Sequence, residues 1–381
     1  MKPKFVLAPD SFKESLASDK VCHAMKTGIE RVFPNAEIVE LPMADGGEGT
    51  TKALVHATNG KWVKQEVTGP LGEKVSACYG ILGDGSTAII EMAEASGLTL
   101  LAKEKRNPLL TTTFGTGELI LAALKQPIDK IIIAIGGSAT NDGGSGMAEA
   151  LGVKFFDKNH QLLKKMNGKL LQEIDSIDPS ALPSRLQQVD VLVASDVTNP
   201  LYGENGASYI FGPQKGATKQ MILQLDRGLK HYAAKIQAQL NIDVSHIPGS
   251  GAAGGLGAGL LAFTNAKIEN GIDLVIHFNH LKQHLQNADY CFTGEGHIDE
   301  QTRYGKTAYG VAKTAKKANV PVIALAGAIS PGYEMLYKEG IQAIFSITPR
   351  ALSLEEALQT AEKNIECTSE NIARLLKITT K

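Results

Sequence analysis

The chain has 381 residues, of which 43% are hydrophobic and 39 are glycines, and 39 basic against 40 acidic residues give a net charge of -1. This balance, and the lack of an apolar run of membrane-spanning length, exclude nucleic acid and membranes as expected partners. Four scattered cysteines without a CxxC pair indicate neither a disulfide framework nor a zinc site. We therefore expect a globular protein of two domains in the reducing cytoplasm.

The first predicted elements are two short strands separated by a helix. Residues 5–8 form an apolar strand, and a helical pattern follows through about Arg31. Residues 38–41 form the next strand, which ends in a loop of acids and glycines at residues 45–49. Strands and helices also alternate beyond residue 290, which is typical of a parallel sheet covered on both faces.

The region from residue 61 to residue 97 has a different pattern. Residues 61–67 and 74–82 alternate polar and apolar side chains, which predicts antiparallel strands with one solvated face. The glycines and proline between them predict a hairpin connection. We therefore predict an α/β fold with a Rossmann-like parallel-sheet domain and an inserted second α/β domain. The first would comprise residues 1–65 and 286–381, and the second residues 66–285.

A β-branched run that begins at Ile131 stops in a loop of glycines, hydroxyls, an amide and a carboxylate. The run predicts a buried strand, and the N–H groups of the loop and of the helix after it suit an anion such as a phosphate. Glycines allow the backbone to approach such a ligand closely, and this loop contains Gly136, Gly137, Gly143 and Gly144. Asp142 is a candidate metal ligand. A plain strand-to-helix turn is the alternative interpretation.

Four other loops have a similar composition and also follow predicted strands. They are residues 10–13, 45–49, 195–200 and 294–299. Because the carboxyl ends of strands face the ligand crevice in open α/β sheets, these loops predict a small, anionic, metal-assisted site. Each loop taken alone is also compatible with a solvated turn or a helix N-cap.

Two aspartates compete for the role of acid–base residue. Asp196 follows an apolar strand pattern at residues 191–194, where its carboxylate could accept a proton from an attacking hydroxyl or bind Mg²⁺. Asp299 competes for both roles, and Glu295 lies near it in sequence. Phosphoryl transfer also requires a basic clamp, for which the candidates are Lys13, Lys215 and Lys306.

Two glycine motifs have competing interpretations. Lys306 follows a glycine as in a Walker A motif, but Glu300 stands where that motif requires glycine. Residues 249–254 match GxGxxG, with Asp273 at a suitable distance for a dinucleotide site. The residues before this motif make a poor strand, so contact with a substrate or nucleotide is favoured over a nicotinamide fingerprint.

Three histidines have a spacing that would place them on one face of a helix. They are His277, His280 and His284. No HExxH partner or cysteine accompanies them, so a solvated or half-buried helix face is favoured over a metal site.

Seven ordered segments resemble the bacterial glycerate kinase family, of the type that includes glycerate 2-kinases. They are Ala8 to Leu16, Pro42 to Thr50, Gly136 to Gly144, Ser195 to Leu201, Gln214 to Ala217, Gly251 to Gly257 and Gly294 to Thr302. Glu14 departs from the pattern, where glycine is expected. The resemblance implies ATP-dependent phosphorylation of D-glycerate with Mg²⁺ in glycerate or glyoxylate breakdown. It also implies a two-domain α/β protein that closes over its substrate.

The resemblance also implies candidate site residues. ATP phosphate would contact the glycine loop through Gly136, Gly137, Ser138, Thr140, Asn141, Gly143 and Gly144. Asp196 would be the base or a metal ligand, with Asp299 as the alternate base and Asp142 as a further metal ligand. Lys13 would pair with the glycerate carboxylate as a catalytic and substrate-binding residue. The other predicted substrate contacts are Asp10, Ser11, Asp45 and Glu48.

Two other functions remain alternatives at this stage. One is a nicotinamide-dependent hydroxy-acid oxidoreductase, and the other is a non-catalytic protein that binds an organic acid. The sequence favours 2-phosphoglycerate as the kinase product without deciding between oxygen 2 and oxygen 3 of glycerate. It also leaves the oligomeric state open, with a homo-oligomer as one alternative.

Overall fold

The computed structural model describes residues 2–303 and 306–379. The chain forms two compact units. We name them the terminal unit, which comprises Met1–Asp45, Lys52–Thr58 and Asn270–Lys381, and the inserted unit, which comprises Gly46–Thr51 and Asn59–Glu269. Within the described residues, no helix combines the length and the apolar character needed to cross a membrane.

The strands and helices alternate along much of the chain. The strands of the described residues are β1 (Lys4–Leu7), β2 (Glu37–Glu40), β3 (Lys61–Thr68), β4 (Lys74–Ile81), β5 (Thr87–Glu91), β6 (Lys130–Ala134), β7 (Lys154–Phe156), β8 (Leu162–Leu163), β9 (Ser176–Asp178), β10 (Asp190–Ala194), β11 (Lys267–Glu269), β12 (Tyr290–Ile298), β13 (Val322–Ile329) and β14 (Ile341–Ser346). The helices are α1 (Ser18–Glu30), α2 (Thr50–Ala57), α3 (Ala93–Ser96), α4 (Phe114–Leu124), α5 (Ser145–Ala150), α6 (Ala207–Phe211), α7 (Lys219–Leu240), α8 (Ala252–Phe263), α9 (Gly271–Phe278), α10 (Leu281–His284), α11 (Thr307–Lys317), α12 (Leu336–Glu339) and α13 (Leu354–Thr379).

The terminal unit contains a parallel sheet with the strand order β14-β13-β12-β1-β2. The chain starts at β1, adds β2 on one side and later adds β12 on the other, so the sheet has a topological switch point between β1 and β12. Ligands of open α/β sheets bind outside the carboxyl ends of the strands at such a point. Phe5 and Phe292 are buried in the core beside this point, together with Met25 of α1 and Ile365 of α13.

The inserted unit contains a mixed sheet with the order β11-β10-β6-β5-β4-β3. Strands β5, β6, β10 and β11 run parallel to one another. The edge strands β3 and β4 pair antiparallel, β3 with β4 and β4 with β5. The predicted hairpin is confirmed: β3 and β4 pair along their whole length, from Lys61 opposite Ile81 to Thr68 opposite Lys74. A second, small antiparallel sheet has the order β8-β7-β9. The predicted α/β class with parallel sheets is therefore confirmed.

The limits of the two units differ from the predicted limits at residues 65/66 and 285/286. A limit after residue 65 would divide β3, which pairs with β4 along its whole length. At the other end, α9 belongs to the terminal unit, where Ile272 lies against Gly310 of α11. The inserted unit therefore ends at Glu269.

Strand β12 runs from Tyr290 to Ile298 and so continues into the predicted loop at residues 294–299. Its extension is paired with β13, because Glu295 lies opposite Ala326 and Ile298 lies opposite Ile329. The prediction of a loop at residues 294–299 is therefore wrong for all but its last residue. Since side chains alternate along a strand, Glu295 and His297 share one face of it.

Candidate active site

The terminal unit contains a cavity of about 810 Å³. Its polar lining comes from the loops after β1 and β2, from β12, and from the residue before α11. These polar residues include Asp10, Ser11, Lys13, Glu14, Asp45, Glu295, His297 and Lys306, and Thr348 and Asn364 add polar side chains elsewhere in the lining. The opposite wall is apolar and includes Leu354, Leu358 and Ala361 of α13. The cavity therefore lies at the carboxyl ends of the strands, where the switch point of the sheet predicts a ligand site.

Asp10 is held firmly at one side of this cavity and is only 7% exposed. Its backbone N–H donates to the Gly294 carbonyl at 2.8 Å, which ties the loop to β12. The Ser11 N–H donates to Oδ1 at 2.6 Å, and the Thr307 hydroxyl donates to Oδ2 at 2.5 Å. Burial, reinforced by the charge of Asp45, raises the pKa of Asp10 to about 6.

Glu295 is also buried, with 9% of the residue exposed. Its Oε1 has no hydrogen-bond partner among the described residues. Its Oε2 lies 3.5 Å from the Lys306 ammonium. Burial raises the pKa of Glu295 to about 7; Lys306 opposes this shift, and the charge of Asp10 adds to it. A carboxyl group of this kind exchanges a proton readily near neutral pH.

Asp299 lies just beyond the end of β12 and is not part of the cavity lining. Lys306 joins it to Glu295, since the ammonium is 3.6 Å from Asp299 Oδ1. His297 Nδ1 lies 4.0 Å from Asp299 Oδ2, and its Nε2 lies 2.7 Å from the Ser330 hydroxyl. Gly305 of the Walker-like sequence lies outside the described residues.

The loop after β1 carries the predicted substrate residues. Lys13 is exposed and lines the cavity, and its charge lowers the pKa of Asp10. Glu14 adopts φ +64°, in the left-handed region that favours glycine. This conformation is a physical reason for the glycine expected at this position. The structure brings Asp10, Ser11, Lys13 and Asp45 to one cavity.

Glu48, the remaining predicted substrate residue, belongs to the inserted unit and is exposed. Near it, the N-terminus of α2 is held by a buried acid that sequence reasoning missed. Glu91, at the end of β5, accepts hydrogen bonds from the N–H groups of Gly49 and Thr51 at 3.3 and 2.7 Å. Burial raises the pKa of Glu91. Its position at the end of an apolar, β-branched run is a signal that could have identified it.

The glycine loop of the inserted unit joins β6 to α5, and only its first part is accessible. Gly137 is exposed and Gly136 is half-buried, whereas the later predicted phosphate contacts are buried: Ser138, Thr140, Asn141, Gly143 and Gly144. The Gly143 N–H donates to the Gly254 carbonyl at 3.0 Å. A Cβ at Gly254 would collide with the Thr140 carbonyl, so this glycine permits two backbone segments to approach each other.

This packing also explains the GxGxxG sequence at residues 249–254. Its last glycine contacts the Thr140 to Gly143 backbone, and α8 follows without a preceding strand. Strand β11 comes after α8 in the chain. The motif therefore lacks the strand–turn–helix context of a dinucleotide fingerprint.

Asp142 is fully buried and surrounded by donors. Its Oδ2 accepts from the Thr113 N–H and hydroxyl, both at 2.8 Å, and from the Gly146 N–H at 3.3 Å. Its Oδ1 accepts from the Gly144 N–H at 3.1 Å. Such a shell of N–H and O–H groups suits a carboxylate and does not fit a cation beside it. Asp142 therefore stabilises the loop through its hydrogen bonds, and these bonds do not fit the predicted role of metal ligand.

Lys215 is buried behind the accessible part of the loop, with 2% exposed. Its ammonium donates to the Ser138 hydroxyl and to the Thr140 carbonyl, each at 2.7 Å. Burial lowers the pKa of Lys215 to about 7. The sequence made Lys215 a candidate for the basic clamp, and only the tertiary contacts show that it holds Ser138.

Asp196 is half-buried just beyond the end of β10. Because β10 is the parallel neighbour of β6, Asp196 and the start of the glycine loop lie at the same edge of this sheet. The predicted location at a strand end is therefore confirmed, and a carboxylate there fits either predicted role.

The three histidines do not share a helical face. His277 lies in α9, whereas His280 has φ +52° and precedes α10, which ends at His284. Within the described part of the chain, no group of three or more histidine, cysteine, aspartate or glutamate side chains is arranged to hold a metal ion.

Comparison with known proteins bears on both units. The model of the glycerate kinase family matches residues 5–377. This chain belongs to the glycerate kinase family. It is 51% identical to a glycerate kinase of Halalkalibacterium halodurans, over 97% of each chain, and 50% identical to a glycerate 2-kinase of Escherichia coli K12, over 98% of each chain.

A solved structure extends this similarity to the fold. The crystal structure of a candidate glycerate kinase 2 from Salmonella typhimurium LT2 matches with a TM-score of 0.90 and 48% identity, over 100% of each chain. As a member of the glycerate kinase family, the protein is a kinase and transfers a phosphoryl group. The oxidoreductase and the non-catalytic binding protein are therefore wrong as alternatives.

Proposed function

We propose that the protein transfers the γ-phosphoryl group of ATP to the 2-hydroxyl of D-glycerate, with 2-phosphoglycerate as the product. The observation that carries this proposal is the polar part of the terminal cavity. There, two cationic side chains and four carboxyl groups line a space for a small hydroxy acid: Lys13, Lys306, Asp10, Glu14, Asp45 and Glu295. The name of the Escherichia coli relative, glycerate 2-kinase, supports oxygen 2.

In this proposal the exposed Lys13 pairs with the glycerate carboxylate. An ammonium group suits this task because it is a mobile point charge with three donors. The Ser11 hydroxyl, beside it, donates to or accepts from a glycerate hydroxyl. Asp10 and Asp45 complete the polar lining, and their charges oppose binding of a second anion at the same place. A neutral hydroxyl therefore meets the acidic part of the cavity.

For the phosphate groups we propose the accessible glycines of the loop, Gly136 and Gly137, together with the buried Ser138 that follows them in the chain. Lys215 holds the Ser138 hydroxyl in place at 2.7 Å and brings positive charge close to it. The buried residues of the loop then act as its support, with Asp142 as the brace.

Mg²⁺ is proposed as the metal, with Asp196 as its ligand. The donor set fits, because Mg²⁺ commonly binds one or two carboxylates together with water and phosphate oxygens. When bound, it neutralises charge on the phosphate oxygens during transfer. We propose this ligand role for Asp196 in preference to that of base. A cytoplasmic location, a role in glycerate or glyoxylate breakdown and a homo-oligomeric state stay predictions.

The direct test is a coupled ADP-release assay with D-glycerate, ATP and Mg²⁺. Turnover that requires all three components is expected, and phosphorus NMR of the product should give the coupling pattern of a phosphate on carbon 2. ADP release without dependence on D-glycerate would contradict the proposed acceptor. A product phosphorylated on carbon 3 would contradict the proposed position.

A further inference from the structure

We infer that Glu295 is the general base of the phosphoryl transfer and that its Oε1 removes the proton from the attacking hydroxyl of the acceptor. This inference rests on the proposed function and deepens it. It gives to Glu295 the role for which the sequence favoured Asp196 or Asp299.

The first argument is the position of Glu295 in the fold. It lies on β12, directly beside the switch point with β1, and it lines the terminal cavity. The residue is 9% exposed, and yet its Oε1 has no partner among the described residues. A buried acceptor without a partner costs free energy, so such atoms are rare and call for a functional reason. A substrate hydroxyl in the cavity would supply the missing donor.

The second argument is that two of the neighbouring acids, Asp10 and Asp299, already have partners. Both carboxylate oxygens of Asp10 accept short hydrogen bonds, from the Ser11 N–H and from the Thr307 hydroxyl. Asp299 lies outside the cavity lining, close to the Lys306 ammonium and the His297 ring. A base must come within hydrogen-bond reach of the proton that it takes. Glu295 belongs to the cavity lining, and a small rotation of its side chain would bring the buried Oε1 to a hydroxyl bound there.

The third argument is the charge around Glu295. Titratable and charged groups lie around the cavity on the loops after β1 and β2, at the start of α11 and on or just beyond its own strand: Asp10, Lys13, Glu14, Asp45, Lys306, His297 and Asp299. Burial and the charge of Asp10 favour the protonated carboxyl, whereas Lys306 and the side chain of Thr302 favour the carboxylate. The resulting pKa of about 7 lets Glu295 accept a proton and release it again near neutral pH.

The chemical step is balanced as follows. The acceptor O–H bond breaks and its proton moves to Glu295 Oε1. The acceptor oxygen forms a bond to the γ-phosphorus of ATP, and the bond from that phosphorus to the bridging oxygen breaks. ADP leaves with that electron pair, and Glu295 later returns its proton to solvent through the cavity. Lys306 acts as a positioning residue, because its ammonium lies 3.5 Å from Oε2 and holds the other carboxylate oxygen.

The test is steady-state kinetics of Glu295→Gln as a function of pH, with Glu362→Gln on the exposed face of α13 as the matched control. Loss of a general base is expected to lower kcat by about 10²–10⁴-fold, with little change in KM for ATP. The acid limb of the wild-type kcat profile near pH 7 should disappear in this variant. The control should retain both the rate and the limb.

A second variant protects the test against a folding defect. Glu295→Asp keeps the carboxylate but withdraws it by about 1 Å, and a displacement of that size can cost about 10²-fold in rate. This variant should retain the acid limb with a lower kcat. A kcat of Glu295→Gln within about tenfold of the wild-type kcat would overturn the inference, and so would a wild-type kcat in Glu295→Asp. Either result would leave the kinase assignment intact. A wild-type protein that releases no ADP with D-glycerate would instead overturn the proposed function, and this inference with it.

Discussion

The two units each contain a buried acid near the carboxyl ends of parallel strands, and the two acids have opposite surroundings. Asp142 of the inserted unit accepts four hydrogen bonds from backbone and hydroxyl donors. Glu295 of the terminal unit has an oxygen without a partner among the described residues. Burial raises the pKa of both. The comparison teaches that the number of hydrogen-bond donors around a buried carboxylate, more than its burial, distinguishes a structural role from a reactive one.

The lysines follow the same contrast. Lys215 is buried against a hydroxyl and a carbonyl oxygen, and the pKa of its ammonium is lowered. Lys306 is half-buried and lies close to two carboxylates, Glu295 and Asp299. The inserted unit therefore uses polar side chains to brace a loop, whereas the terminal unit directs them into a cavity.

The largest effect on stability is expected for Asp142→Asn. The amide keeps the size of the carboxylate but directs an NH₂ group at N–H and O–H donors, so we expect the free energy of unfolding to fall by about 2–4 kcal/mol. Urea unfolding would measure this, with the exposed Asp190→Asn as control. Glu295→Gln should cost less than about 1 kcal/mol, because it removes a buried charge that has few partners. Equal losses in the two variants would break the comparison.

The next largest effect is expected for Lys215→Met, as a change in the pH dependence of stability. The folded pKa of Lys215, about 7, lies below the ordinary value of 10.5, so the unfolded state binds more protons between these values. Wild-type stability should therefore gain from Lys215 as pH rises from 7 to 10.5, by at most about 1.4 kcal/mol per pH unit. This contribution to the slope should vanish in the variant. The exposed Lys219→Met should keep the slope, and an unchanged slope in Lys215→Met would contradict the burial of a neutral amine.

A smaller effect, on activity, is expected for Lys306→Met. Lys306 lowers the pKa of Glu295, so its removal should raise that pKa and move the acid limb of kcat to higher pH. The loss of activity relative to the wild type should be several-fold greater at pH 6 than at pH 8. Lys317→Met, at the other end of α11, is the matched control. A loss of equal size at both pH values would contradict the coupling of Lys306 to Glu295.

The smallest effect is expected for Glu14→Gly. A left-handed backbone costs a residue with a Cβ about 1–2 kcal/mol, part of which the greater freedom of glycine in the unfolded chain offsets. We therefore expect a gain in stability of up to about 1 kcal/mol, measured by thermal unfolding. Glu14→Ala removes the same side chain but keeps the strain, so it should give no such gain. A gain shared by both variants would assign the effect to the lost charge.

Much of the fold could be predicted from local patterns. Apolar runs placed the parallel strands near their true positions, and alternation identified the β3–β4 hairpin. Strand ends were less predictable: β12 extends through Gly294, Glu295 and Gly296 because β13 supplies hydrogen bonds along that stretch. Glycine normally predicts a turn, and only the pairing with a neighbouring strand overrides that preference.

The sequence by itself determined the family, the α/β class and the loop residues that line the terminal cavity: Asp10, Ser11, Lys13 and Asp45. These follow from residue type and order along the chain. The tertiary structure decided which buried groups have hydrogen-bond partners. It gave Asp142 four of them, left one oxygen of Glu295 without a partner among the described residues, and buried Lys215. The physical reason is that a hydrogen-bond partner of a buried group is supplied by distant segments, such as Thr113 for Asp142. No local pattern of residues encodes that supply.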